Sequence, residues 1–240
     1  MKEYIYGRNT CKDALYSRKV EKAYISSSFS DRRFIDDIKK EKINIQFVTN
    51  DLLSSLVKGN HQGVVFEVER FEYSSLEEII HLCKNDSSCC VLILDEINDP
   101  GNFGAIIRSV DAFGVKGIII KKHNQVMVNS TVSKTSTGAI NHVKIAQVAN
   151  LSQAIERLKE NGFWIVGTDG QADTTYQNLK YDFKTALVIG SEGYGMSKLL
   201  LKRCDYIVKI NMCGHVNSLN ASVAAGIILS HINYAQLKQR

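Results

Sequence analysis

The sequence predicts an α/β fold: a parallel sheet covered by helices on both faces, preceded by a smaller α/β unit. Three observations carry this. Short β-branched runs recur from Cys89 onward, at CCVLILDEI, KGIIIKK, HVKIAQV, FWIVGTD, TALVIGSEG and DYIVKINM. Helical stretches such as FGAIIRSVDAFG and NLSQAIERLKENG separate several of them, each closed by a glycine. The runs are also apolar at nearly every position, as strands buried on both faces must be.

Ahead of Cys89 the same alternation runs on a smaller scale. GRNTCKDALYSRK reads as a helix, VEKAYIS as a strand, and SDRRFIDDIKKEK as a helix with Ser30 or Asp31 as N-cap. INIQFVT follows as a strand, NDLLSSLVKG as a helix closed by Gly59, and QGVVFEVE as a strand. Residues 1–70 therefore form a domain of about the smallest size that folds alone. Residues 71–88 read as a polar linker around a short helix, and residues 89–240 as the second domain. The last helix starts near Asn220 and is rich in small residues (Ala221, Ala224, Ala225, Gly226), which allows close packing.

The composition is that of an ordinary globular protein, with 44% hydrophobic and 23% charged residues among 240. The net charge of +5 is a mild basic bias. The first seventy residues hold thirteen Lys and Arg against ten Asp and Glu, so over half of the excess falls there. That is a modest lean toward phosphate binding. The six cysteines show no C-x-x-C pair and read as reduced, mostly buried thiols. No basic-plus-apolar leader opens the sequence, and no apolar run approaches the roughly 18 residues of a membrane span. A cytoplasmic protein is expected.

Chemistry gathers at three strand ends, where parallel α/β sheets bind ligands. The first is NDPGNFGAIIR, which holds Pro100, the single proline of the chain. Pro100-Gly101 sets a turn, Asn102 suits the N-cap, and Phe103, Ile106, Ile107, Val110 and Phe113 form the apolar stripe. Arg108 lies off that stripe and leans back over Gly104 toward Asn102. The second stretch, LVIGSEGYGMSK, frees backbone around Ser191-Glu192 with three glycines; it is neither a dinucleotide fingerprint nor a P-loop. The third, INMCGHVNSLNASVAAG, sets Asn217, Ser218 and Asn220 at a helix start. His61 and His215 read as structural, hydrogen-bonded residues rather than bases. No Cys/His grouping has metal-ligand spacing, so no metal is expected.

Taken together these stretches resemble the SpoU-type (TrmH-like) branch of the SPOUT RNA methyltransferases. Motif one matches Asn102 through Arg108, motif two (G-S-E-G-x-G) Gly190 to Gly195, and motif three (S-L-N-x-S-x-A) Ser218 to Ala224. The resemblance covers residues 89 to about 235. YGRNTCKDAL and HQGVVFEV also look like the ribosomal-protein-L30e-like substrate-binding domain of members that modify ribosomal RNA, although Phe66 stands where a small residue is usual.

The resemblance implies a SPOUT-type parallel sheet with a C-terminal trefoil knot. It implies methyl transfer from S-adenosyl-L-methionine to a ribose 2′-hydroxyl of 23S rRNA, at a guanosine in the peptidyl-transferase P-loop. A tRNA ribose methyltransferase and a non-catalytic RNA-binding protein of the same fold are the alternatives. Cofactor-binding residues would be Thr168, Asp169, Gly170, Ile189, Gly190, Gly193, Ile210, Met212, Ser218 and Leu219, acting mostly through backbone. Asn102, Arg108, Glu192 and Asn220 would be the polar catalytic set. Arg108 is then either the base or a charged clamp, and Glu192 either catalytic or a structural partner of a backbone N–H or of Arg108. Arg8 and Asn9 would lie on the RNA. Members pair through the C-terminal domain, and the small-residue face of the last helix (Ala221, Ala225) suits such a homodimer.

Overall fold

The chain divides into two units, Met1–Glu72 with Val128–Asn141 and Tyr73–Met127 with His142–Arg240. The computed structural model describes residues 3–17, 20–69, 71–216 and 218–238.

The first unit is built on four strands, β1 (Glu3–Tyr6), β2 (Val20–Ser26), β3 (Asn44–Val48) and β4 (Val64–Val68), in the order β1-β4-β2-β3. β4 runs antiparallel to both β1 and β2, and β2 runs parallel to β3. Helices α1 (Arg8–Ser17) and α2 (Arg32–Lys40) contribute Cys11, Ala14, Phe34 and Ile38 to the core on one face, with Ile5, Ile25 and Phe66. Helix α3 (Asn50–Leu56) brings Leu53 to a second cluster with Val48 and Val65. Asp31 caps α2 by accepting from the Phe34 N–H, and Thr49 caps α3. α3 ends at Leu56, before the expected Gly59. Gly59 instead makes room for Tyr6: a Cβ there would stand 2.7 Å from the tyrosine oxygen.

The second unit begins with α4 (Leu76–Leu82), whose Ser75 and Glu78 form a reciprocal capping box. Its remaining elements are β5 (Cys89–Asp95), α5 (Pro100–Ala112), β6 (Ile118–Lys121), β7 (Ile145–Val148), α7 (Leu151–Glu160), β8 (Phe163–Thr168), β9 (Thr174–Thr175), β10 (Lys184–Gly190), α8 (Lys198–Leu201), β11 (Tyr206–Lys209) and α9 (Ala221–Leu237). Between β6 and β7 lies α6 (Ser130–Thr135), which belongs to the first unit and packs on α1 and β1. The seven strands run in the order β7-β6-β5-β10-β8-β11-β9, and every pairing is parallel.

Both faces of this sheet are covered, as the apolar runs require. On one face Val91, Ile93, Ile165 and Val188 pack with Ile79 of α4, Ile155 and Leu158 of α7, and Leu200 of α8. On the other, α5 and α9 pack together and bury Ile106, Val110, Ile228, Leu229 and Ile232. Among the described residues, no helix is long and apolar enough to cross a membrane.

Two expectations are corrected here. Residues 71–88 are not a linker: Ile79, Ile80 and Cys83 are buried in the core of the second unit, and Ser74 bonds to Ile145 of β7. The polar residues of that stretch face outward, which gives it a linker's composition. Likewise Ala221 and Ala225 do not form a free face, because both are buried inside the chain, and a Cβ on Gly226 would stand 3.5 Å from Ser109 of α5. All described cysteines are free thiols; Cys11, Cys83, Cys89 and Cys90 are buried, whereas Cys213 is exposed. Burial pushes the Cys11 and Cys90 thiols well above their ordinary range.

If α4 is part of the core, Ile79→Ala should destabilise the protein by about 2–5 kcal/mol, read as a lowered denaturation midpoint. A change within about 0.5 kcal/mol, normal for a surface position, would return the stretch to linker status.

Candidate active site

Strands β5, β10, β8 and β11 are adjacent, and their carboxyl ends carry the glycine-rich and polar stretches. Helix α5 starts with Pro100 at its first position, where the missing N–H costs nothing. The cap is therefore Asp99, not Asn102: Asp99 Oδ1 accepts from the Asn102 N–H at 2.7 Å. This leaves the Asn102 side chain free of capping. Its Nδ2 donates to Glu192 Oε1 at 2.5 Å. Asn220 completes a triangle, its Nδ2 donating to Asn102 Oδ1 at 2.8 Å and to Glu192 Oε1 at 3.0 Å.

Asn220 is also the N-cap of α9, where its Oδ1 accepts from the Ser222 and Val223 N–H groups. That fixes which end of the amide is oxygen, so Nδ2 must face the carboxylate. Three sequence-distant side chains thus meet with complementary donors and acceptors. Arg108 is exposed and, among the described residues, forms neither a hydrogen bond nor an ion pair with this triangle. The alternative pairing of Glu192 with Arg108 is not what is observed.

Glu192 is presented by a tight loop. Ser191 and Gly195 exchange two backbone hydrogen bonds of 3.0 Å, and Gly193 and Gly195 take φ values of +88° and +66°. Gly190 allows the loop to fold back on β10: a Cβ there would lie 2.2 Å from the Gly195 carbonyl carbon. Asp95, only 2% exposed, holds the far end of the loop, its Oδ2 accepting from the Ser197 N–H at 2.9 Å. Lys121 pairs with Asp95 Oδ1 and Glu96 Oε1, each at 2.9 Å. Burial opposes the lysine charge, but the two carboxylates outweigh it and hold Lys121 above its ordinary value.

The residues expected to hold a cofactor lie around the same strand ends. Thr168 closes β8 and donates its hydroxyl to Val188 O of β10 at 3.0 Å. The Asp169 N–H bonds to Val208 O of β11, and Gly170 follows in the exposed turn. Ile189 and Gly190 are buried in β10, Ile210 and Met212 follow β11, and Ser218 and Leu219 precede α9. Asn217 lies outside the described residues. Among the described residues, chain neighbours aside, no heavy atom comes within 4 Å of the Cβ position at Gly170, Gly193 or Gly195, so the backbone there is open to a ligand.

Arg8 and Asn9 open α1 in the first unit, both exposed. Arg8 forms an ion pair with Asp31. The Phe34 N–H, aided by Arg8, holds the Asp31 carboxyl below its ordinary value. His61 is hydrogen-bonded, with Nδ1 accepting from the Gly63 N–H at 3.0 Å and Nε2 3.2 Å from Ser54 Oγ. His215 is exposed and forms no such bond among the described residues.

Comparison with known proteins places this geometry. A family model described as the SpoU rRNA methylase family matches residues 89–230. The chain belongs to the SpoU methylase family. A second model, described as RNA 2′-O ribose methyltransferase substrate binding, matches residues 4–74. The Bacillus subtilis protein YacO, assigned to the TrmH family of tRNA/rRNA methyltransferases, is 42% identical over 96% of this chain and 94% of its own length. The SpoU methyltransferase AviRb of Streptomyces viridochromogenes, in complex with AdoMet, superposes with a TM-score of 0.81 at 25% identity, over 100% of this chain and 92% of that one. The A. aeolicus TrmH/SpoU tRNA modifying enzyme gives 0.58 at 28% identity, over 68% of this chain and 83% of that one.

Within this SpoU member, sequence reasoning does not find Asp95, Lys121 or Ser197. The one available signal is a carboxylate at the end of an otherwise apolar strand.

Gly190→Ala should prevent the loop from closing and lower thermal stability sharply, since backbone rather than a movable side chain fills the space. An unchanged melting temperature would count against the close approach. Pro100→Ala should cost about 0.4–1 kcal/mol of stability and reduce turnover more than that loss accounts for. Full activity with a lowered melting point would make the proline purely architectural.

Proposed function

We propose that the chain is an S-adenosylmethionine-dependent RNA ribose 2′-O-methyltransferase acting on 23S rRNA, at a guanosine of the peptidyl-transferase P-loop. The observation that carries the catalytic reading is the Asn102–Glu192–Asn220 triangle, which joins the three motif stretches at adjacent strand ends. Support for ribosomal RNA comes from the matched rRNA methylase model and from the substrate-binding segment at residues 4–74. The A. aeolicus tRNA modifying enzyme aligns with only 68% of the chain. The expected trefoil knot belongs to this reading and rests on the same resemblance.

The open backbone at Gly170, Gly193 and Gly195 fits a cofactor held by main-chain groups. Bound there, S-adenosylmethionine supplies a methyl group on a positively charged sulfonium. Thr168 to Gly170, Ile189 to Gly193, Ile210 to Met212 and Ser218-Leu219 are the segments that would hold it. Glu192 accepts two amide N–H groups on one oxygen and so orients Asn102 toward the ribose. Asn102 keeps a second N–H and an oxygen lone pair with which to position the 2′-hydroxyl. The Arg108 guanidinium grips the neighbouring phosphate and stabilises the charge that develops on the 2′-oxygen as its proton passes to solvent water.

The same reading makes the protein a cytoplasmic homodimer joined through the C-terminal domain. The apolar residues left exposed on α9, Val223, Tyr234 and Leu237, suit such contacts better than the buried alanines do. Light scattering should give twice the chain mass at micromolar concentration, and a monomer would refute the pairing.

Arg108→Ala should lower turnover by about 10²–10³-fold, the effect of losing one oxyanion donor. Asn102→Ala should act in the same direction. Calorimetry with S-adenosylmethionine should show near-normal binding for both, whereas lost binding would mean the side chains face the cofactor. Mapping methylated nucleotides in total RNA should place the mark in 23S rRNA; a mark in tRNA would select the alternative substrate.

A further inference from the structure

The first unit contains a hollow of about 680 Å³ that the methyl-transfer geometry leaves unused. Its volume lies within the roughly 300–1,000 Å³ of small-ligand sites. Phe29 provides an apolar wall. Gly63, at φ +80°, lets the ring lie against bare backbone, because a Cβ there would stand 2.9 Å from it. Phe29 meets Phe34 edge-on at 6.1 Å, and Phe34 stacks on Phe66 at 6.1 Å. The ring is held in place before any ligand arrives, which reduces the ordering cost of binding.

The polar wall combines serine hydroxyls and His61 with the neutral amides of Asn9, Asn50, Asn60 and Gln62. Gln62 Oε1 accepts from the Arg8 N–H at 2.9 Å, and Asn60 Oδ1 accepts from the Gln62 N–H at 3.2 Å. These bonds settle the amide orientations and leave both NH₂ groups as uncommitted donors among the described residues. Asn50 makes no side-chain hydrogen bond among them. Arg8, the only Lys or Arg lining the hollow among the described residues, is already paired with Asp31. So poor a supply of positive charge does not suit a groove that tracks phosphates. It suits a flat, neutral ring with a hydrogen-bonding edge. A second hollow of about 230 Å³ shares Asn60 and Gln62 and adds Lys134, a cation placed one step along.

We propose that the larger hollow receives one unpaired nucleotide of the RNA substrate. Its base lies on Phe29 and its edge is read by Asn50, Asn60 and Gln62, while a flanking phosphate meets Lys134. Amide side chains match base edges in pairs of donor and acceptor. Unstacked bases are what proteins read on RNA, by stacking and by their exposed edges. A paired, stacked base cannot enter, so the hollow selects single-stranded or bulged RNA. The inference rests on the methyltransferase reading for the presence of RNA.

The test uses the full-length protein and oligoribonucleotides of about ten residues, a usual site length for single strands. Single strands are compared with a fully paired hairpin by fluorescence anisotropy. Phe29→Leu and the filling change Ser28→Trp should each weaken single-strand binding about tenfold, as loss of one base–aromatic stack does. Hairpin binding should not move. Asn50→Ala, at an exposed position, should weaken it in the same direction without altering the melting temperature, which guards against misfolding in the other two. A 4-thiouridine strand should cross-link within residues 26–30 or 60–63. Unchanged single-strand binding in all three variants, equal losses for the hairpin, or cross-links elsewhere would overturn the proposal. Methyl transfer to bulk RNA by the unaltered protein is measured separately: its absence sinks the methyltransferase reading, while the binding series still decides this one.

Discussion

β10 lies at the middle of the seven-stranded sheet, paired in parallel with β5 on one side and β8 on the other. Ala186, Leu187 and Val188 are fully buried, and Ile189 nearly so. A strand enclosed this way cannot shift register without moving apolar side chains into the wrong layer. Its last residue, Gly190, therefore delivers the 191–197 loop to a fixed point. There the Asp95 carboxylate at the end of the adjacent strand receives the loop's returning N–H. The packing of one strand sets the position of Glu192, and Glu192 sets the orientation of two asparagines.

Two sides of the triangle those residues form are hydrogen bonds to the Glu192 carboxylate, a kind stronger than the neutral amide bond that closes it. It also couples chemistry to architecture. Asn220 serves the start of α9 with its oxygen and the Glu192 carboxylate with its nitrogen. Loss of the asparagine would weaken a helix end and misalign a polar pair together. Turnover and stability would then have to be measured side by side to separate the two effects.

The parallel sheet is legible in the sequence because strands buried on both faces must be apolar throughout. The site is legible as far as residue types at strand ends go. Several things are not. β1 is four residues, EYIY, too short for any alternation to register. STVSKT of α6 has a single fully buried apolar residue, Val132, and so no stripe. Asp99 and Asn102 are both good caps, and only the preference of proline for the first helical position selects Asp99. Ser197, whose N–H the Asp95 carboxylate accepts, lies 102 residues away in the chain, beyond any local pattern. Ala221 and Ala225 advertise close packing, but sequence alone does not say whether the neighbour is in the same chain.

Residues 128–141 leave one unit's sequence to complete the other, with α6 packing on α1 and β1. This has a consequence for synthesis, when domains fold in the order in which they emerge. The amino-terminal unit cannot close over its last helix until the ribosome has passed Asn141. By then β5, α5 and β6 have already been made, and β5 must wait, unpaired on the side that β10 will occupy, until residue 190 appears. The nascent chain therefore carries two unfinished units at once. Its exposure to aggregation is set by the time needed to translate the stretch between them.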